Sequence, residues 1–394
     1  MKNYIKFLLK KYLPFYVVLF AVCVSFFFMF LTNDNNVYVR PIGMDYYIST
    51  PNSYLLLFII PLAIVSIFAP IFANTYRYSI KSADMFYQTG KGSKQVRLIN
   101  NLTLLVCILV SYTAAFIIAM LIMIFKQIPN AGKTITTDFS EETYVMFYFG
   151  YYFLAYLLAV IVCVINYFIS YFFITRANNP MNSIICMVLG HMLLSVLYTP
   201  IWYAAIINAL FKGANSFYYP NVLLLTRVPS IIGTIAWIAN IFEPLIITGQ
   251  PLELVITEAE IFSLVLSIVA LVIFLAFGAF CIYRFLTEKE SSGELAGKPE
   301  GRDKLQMIIY HAGAGVIAWW FGIANGLISS LLLVNILTTV SSFIMLCALY
   351  YVFYGVIRRN FKLKKKDFAI LIPVASLYIV SVIVYNVLYT ISIQ

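Results

Sequence analysis

Residues 102–125, LTLLVCILVSYTAAFIIAMLIMIF, contain no Asp, Glu, Lys or Arg. A helix of roughly 20 apolar residues crosses the hydrocarbon core of a bilayer, where only a helix or a closed barrel satisfies its own backbone hydrogen bonds. The rest of the chain matches this run. Of its 394 residues, 62% are hydrophobic and 11% charged, with a mean hydropathy of +0.92, whereas soluble domains average about 25% charged. Working outward, about nine crossings of this kind can be marked, near residues 12–32, 53–74, 102–125, 145–174, 183–211, 259–285, 306–326, 328–356 and 368–390. The expected fold class is an all-α polytopic membrane protein.

Orientation follows from the basic residues, which concentrate on the cytoplasmic side. With the N-terminus inside, the inner segments collect residues 1–11, the connection between helices 2 and 3, Arg176, 284–304 and 358–366. Of the 26 Lys and Arg, only Arg40, Lys126, Lys133, Lys212 and Arg227 fall outside. The net charge of +10 is therefore a topology signal rather than a nucleic-acid footprint, which calls for a basic patch on a soluble or aromatic-lined surface. Residues 217–250 are apolar enough to tempt a further crossing, but that would place both later basic clusters outside. They are expected to form an outer re-entrant or interfacial hairpin, with Pro229, Gly233 and Pro244 as breakers.

The N-terminal stretch MKNYIKFLLKKYLPF spaces Lys2, Lys6 and Lys10 on one helical face and Tyr4, Ile5, Leu8 and Leu9 on the other. This predicts an interfacial amphipathic helix over residues 1–11 that bends into the membrane at Pro14. The apolar run that follows is too long for a signal peptide and lacks a small-residue cleavage site, so the first helix is expected to be retained. All six cysteines (Cys23, Cys107, Cys163, Cys186, Cys281 and Cys347) fall in apolar helices, one per helix, which indicates neither a disulfide framework nor a metal pair.

Immediately before the opening run lies SADMFYQTGKGSKQVRLINN, residues 82–101. It has the vocabulary of a phosphate-binding loop but not the spacing. A Walker loop needs Gly, four residues and then Gly-Lys-Ser/Thr between a strand and a helix, and no such run occurs in the chain. Enzymatic chemistry is expected to be absent. No Ser/His/Asp or Cys/His constellation can be assembled on one predicted face, and ionisable residues at membrane depth, which usually mark ion or substrate paths, are few. His191 and His311 are the central candidates, with Glu258 and Glu260 at the outer mouth of helix 6. For each His the commoner role is interhelical glue. In helix 7, Ala314, Ala318, Gly322 and Gly326 recur every four residues as a close-packing face.

The order of elements resembles that of ABC-2-type permeases of Gram-positive bacterial ABC transporters. It runs from an amphipathic N-terminal helix through two crossings, a short cytoplasmic helix and four more crossings, with an outer hairpin before the sixth. The resemblance spans residues 1 to about 310. It implies a six-helix core over 12–286, a cytoplasmic linker over 287–305 and three additional helices over 306–394. It makes residues 82–90 a coupling helix that seats in a cleft of a separate ATP-binding cassette ATPase subunit. Asp84, Met85, Phe86 and Tyr87 are its contact positions, followed by a basic residue, Lys94 or Arg97. Glu294, Ala296 and Gly297 after helix 6 are similar to the Glu-x-Ala-Gly segment of related permeases. The Leu-Pro pair often found after the coupling helix is replaced here by TGKGSK.

The resemblance implies a multi-pass protein of the bacterial plasma membrane that pairs with itself or a homologous permease. It would bind no cofactor, with ATP and Mg on the partner subunit, and export a peptide, antibiotic or lipid-like cargo. It also places His191 on the substrate path. Two rivals stand beside it: an autonomous carrier or channel, and a membrane sensor or scaffold.

Overall fold

The computed structural model describes residues 2–32, 38–42, 45–49, 55–78, 93–127, 134–137, 140–144, 149–177, 179–194, 258–287, 305–313 and 343–352, with single positions or pairs between 316 and 380. The helices are α1 (Lys2–Thr32), α2 (Leu55–Ala73), α3 (Ser93–Gln127), α4 (Phe149–Ile174), α5 (Pro180–Leu194) and α6 (Glu258–Thr287). Two shorter pieces follow, α7 (residues 305–313) and α8 (Phe343–Val352). Three described stretches are long and apolar enough to cross a membrane: Asn3–Phe27, Lys94–Phe125 and Tyr156–Ile174. Large apolar side chains coat the outside, among them Val110, Ile117, Leu121 and Phe125 on α3. The architecture is that of a helical membrane protein.

α4 is the hub. It packs along α2 and α6 and also meets α3 and α5, while α1 lies along α3. Burial follows this plan. α1 buries one stripe, Leu8, Tyr12, Leu19, Cys23 and Phe27, whereas residues 165–174 of α4 are buried without a break. A helix apolar all round belongs in the middle of a bundle. α6 buries Phe274, Gly278, Cys281 and Phe285 at helical spacing. Gly278 permits close approach, since a Cβ there would lie 2.7 Å from Ile165 of α4. All six cysteines are free thiols.

Two elements begin earlier than the sequence suggested. α1 continues through Pro14 as one helix, so the amphipathic segment and the first crossing are a single element. α3 starts at Ser93 rather than near 102. Its first turns are polar but carry Val96, Ile99, Leu104 and Leu105 on the buried face, so the helical period continues through the charges.

The sharpest difference from the all-α expectation lies in two of the connections between helices, which contain strands. β1 (Tyr38–Ile42) and β2 (Asp45–Ser49) lie between α1 and α2, while β3 (Thr134–Thr137) and β4 (Ser140–Tyr144) lie between α3 and α4. Each pair is an antiparallel hairpin, and β1 joins β4 through Tyr38↔Tyr144 and Val39↔Thr143. The four form one sheet in the order β2-β1-β4-β3. Because the two connections share a sheet, they lie on the same side, in agreement with the charge count. The expected coupling helix 82–90, the expected hairpin 217–250, the expected linker 287–305 except its two end residues, and most of the expected last three crossings lie outside the described residues.

Candidate functional site

Opposite the sheet, five helices converge on a buried polar cluster. α2 ends at Ala73, and Asn74 closes it. The main-chain N–H of Asn74 donates to Pro70 O at 3.1 Å, and its Nδ2 donates to the same oxygen at 2.7 Å. Carbonyls in the last turn of a helix lack intrahelical partners, so an Asn that folds back is a sound stop. Nδ2 of Asn74 also reaches Asn101 Oδ1 on α3 at 3.1 Å. Asn101 Nδ2 donates to Arg97 O at 3.0 Å, one turn earlier. The Tyr167 hydroxyl of α4 lies 3.0 Å from Asn101 Oδ1 and 3.2 Å from its main-chain oxygen. From α1, the Tyr4 hydroxyl donates to Asn100 Oδ1 at 2.8 Å.

Arg97 stands one turn before Asn101 in this cluster and is fully buried. Its Nη2 donates to Phe285 O at 2.8 Å, and its guanidinium lies 5.5 Å from the Phe285 ring centroid. Phe285 belongs to the last turn of α6, where orphan carbonyls concentrate the negative end of the helix dipole. A buried guanidinium is costly unless hydrogen-bonded and electrostatically matched, and this helix end supplies an acceptor for Nη2 and the negative end of a dipole. Phe285 also packs against Phe168 and Tyr171 of α4 at 5.0 and 4.9 Å. The sequence places Arg97 in the basic connection between helices 2 and 3, with no direct sign that it is buried. Its spacing with Val96, Asn100 and Asn101 was the available clue, since it lies on the continuing helical face.

The α4–α5 turn at this same end is built from local signals. Asn179 caps α5, accepting from Met181 N at 3.0 Å, and Pro180 occupies the first helical position, where its missing N–H costs nothing. Ser183 Oγ lies within donating distance of Ile174 O, the last carbonyl of α4, and of Ala177 O in the turn, at 3.2 and 3.3 Å. The Arg176 guanidinium lies 4.4 Å from the Phe172 ring centroid.

His191 is buried on α5. Its Nε2 shares a 2.7 Å hydrogen bond with Ser170 Oγ of α4, and its ring meets Phe173 edge-on at 5.9 Å. The structure thus pairs a Ser with a His where the sequence offered no constellation, because nothing in the spacing of residues 170 and 191 announces it. The acids among the described residues, Asp45, Glu141, Glu142, Glu258 and Glu260, belong to the sheet or to the start of α6. Ser170 and His191 therefore form a two-member contact, the geometry of interhelical bonding. His311 on α7 is buried and stacks on Tyr350 of α8 at 4.7 Å. α7 rests on α5 through Gly313, where a Cβ would lie 2.7 Å from Leu189, and through the Tyr310 hydroxyl, which donates to Asn182 O at 3.0 Å.

Of the site residues expected from sequence, His191 is therefore placed within the bundle. Asp84, Met85, Phe86 and Tyr87 lie outside the described residues. The described residues that flank them in sequence, Tyr78 and Ser93, stand four positions from Asn74 and Arg97 of the polar cluster. No protein-family model matches the chain, and no curated protein or solved structure is detectably similar to it.

Proposed function

We propose that this chain is the membrane-spanning permease subunit of an ATP-driven exporter of the bacterial plasma membrane. It would have nine crossings with the N-terminus cytoplasmic: a six-helix core followed by three further helices. The observation that carries the reading is the polar cluster itself. Asn74 and Arg97 flank the connection between α2 and α3; Asn74 bonds to Asn101, which bonds to Tyr167 of α4, and Arg97 bonds to Phe285 O of α6, so a displacement there can pass into several helices at once. In this reading, residues 82–90 dock in a cleft of an ATP-binding cassette ATPase through Met85, Phe86 and Tyr87, with Asp84 orienting the contact. A second permease completes the translocation path. ATP and Mg belong to the ATPase, and the free energy comes from its different affinity for ATP in the two states. The cargo is an amphipathic peptide, antibiotic or lipid-like molecule, suited to an interior rich in Phe and Tyr and poor in charge, and His191 faces its path.

The test is to extract the tagged chain gently from its native membrane and identify co-purifying proteins by mass spectrometry, beside a Phe86→Ala/Tyr87→Ala variant. An ATPase present with the wild type and lost with the variant supports the proposal. A chain that purifies without an ATPase in both samples sinks it in favour of an autonomous carrier, and a kinase or regulator in its place favours a sensor.

A further inference from the structure

α6 is held to the bundle along one face, and the contacts along that face differ in kind. Gly278 sits against Ile165, Phe277 and Phe280 meet Phe172 edge-on at 5.9 Å, and Phe285 closes the row against Phe168 and Tyr171. All of these are apolar contacts with α4, which lipid tails can replace at little cost, because association inside a membrane has no hydrophobic driving force. At the end of the row stands the directional bond from Arg97 Nη2 to Phe285 O. It joins α6 to α3, two helices otherwise bridged by α4.

Arg97 is itself fixed from behind, since Asn101 Nδ2 donates to its main-chain oxygen and Asn101 is in turn held by Asn74 and Tyr167. A fixed donor on one helix and the dipole-bearing last turn of another make a contact that is either formed or broken, because the bond weakens steeply with distance and angle. Breaking it leaves a buried guanidinium and a helix end that both demand water. Water entering from the adjacent aqueous side is the natural substitute.

We infer that Arg97 is a positioning residue that latches the end of α6 against α3 and α4, and that its release admits water along the α4–α6 seam. The intact bond is the state closed at this end of the bundle, and loss of the bond is the open one. The latch takes its purpose from the permease reading, but its existence does not depend on it, so the test needs neither cargo nor ATPase.

Cys281 is the reporter. It is fully buried one turn before Phe285 on the same face of α6, whereas Cys23 is fully buried on α1, away from that face. Two single-cysteine versions of the full chain, one retaining Cys281 and one retaining Cys23, are reacted in membrane vesicles with a hydrophilic maleimide. Arg97→Met, which keeps an unbranched side chain but removes the donors, should raise the labelling rate of Cys281 about tenfold, the population change that ~1.4 kcal/mol produces. Cys23 should stay protected. Arg97→Lys, which can still donate to Phe285 O, should restore most of the protection. An unchanged Cys281 rate in Arg97→Met would overturn the latch. A parallel rise at Cys23 would also overturn it, because Arg97 would then be supporting the whole bundle. Should Arg97→Met fail to accumulate in the membrane, Phe285→Ala leaves the carbonyl in place while removing its aromatic support. It should raise Cys281 labelling by a smaller factor, and no rise there counts against the proposal.

Discussion

Gly190 of α5 lies so close to Phe173 of α4 that a Cβ at position 190 would stand 2.6 Å from the ring. No real side chain sits at that distance from an aromatic carbon, so the glycine sets how near the two helices pass, and with it the reach of His191 to Ser170 at 2.7 Å. Gly190→Ala should therefore push α5 away and destabilise the purified protein by about 1–3 kcal/mol, the usual range for an overpacked site. Adding Phe173→Leu should return part of that loss. Thermal unfolding in detergent measures both variants, and a Gly190→Ala protein as stable as the wild type would show that the ring swings aside freely.

The Asn101 side chain takes part in four hydrogen bonds, with Asn74, Arg97 and Tyr167, so its removal leaves several buried groups without these partners. Tyr167→Phe deletes one hydroxyl and should cost about 1 kcal/mol, the net value of an ordinary hydrogen bond. Asn101→Leu should cost more, because each buried polar group left unsatisfied carries a penalty of about 1–3 kcal/mol. The ordering is the check: denaturation that ranks Tyr167→Phe as the more damaging change would mean that the cluster is not centred on Asn101.

Val39 of β1 and Thr143 of β4 are paired across the one junction that unites the two outer hairpins. Directly opposed Cα atoms in an antiparallel ladder lie about 4.5–5.5 Å apart, within the span of a disulfide. With the native cysteines replaced, Val39→Cys together with Thr143→Cys should form a disulfide under mild oxidation, detected as a linked peptide pair by mass spectrometry. Val39→Cys with Thr136→Cys, which are not partners in the sheet, should not. Failure of the first pair would separate the hairpins and remove the structural support for placing residues 33–54 and 128–148 on the same side.

The sequence alone determined that this is a helical membrane protein, because its uncharged apolar runs, such as residues 102–125, have the roughly 20-residue length of a spanning helix, about twice that of a barrel strand. It also determined the approximate places of the first six helices, since hydropathy is a local, additive signal, and it put the α1–α2 and α3–α4 connections on one side, as their shared sheet does. The pairing of two distant connections into one sheet was not legible. Strand pairing across about a hundred residues depends on α1 and α3 lying side by side, which no local pattern reports. Nor was the burial of Arg97. A charge near a helix end reads as solvated until a second helix end is seen to deliver a carbonyl to it, and Phe285 is 188 positions away. The contact of Ser170 with His191 was hidden for the same reason, because it exists only where Gly190 lets α5 approach α4. Composition and period set which elements form and which way they point, whereas the tertiary structure alone decided which polar groups find one another, because those bonds are made between helices rather than along them.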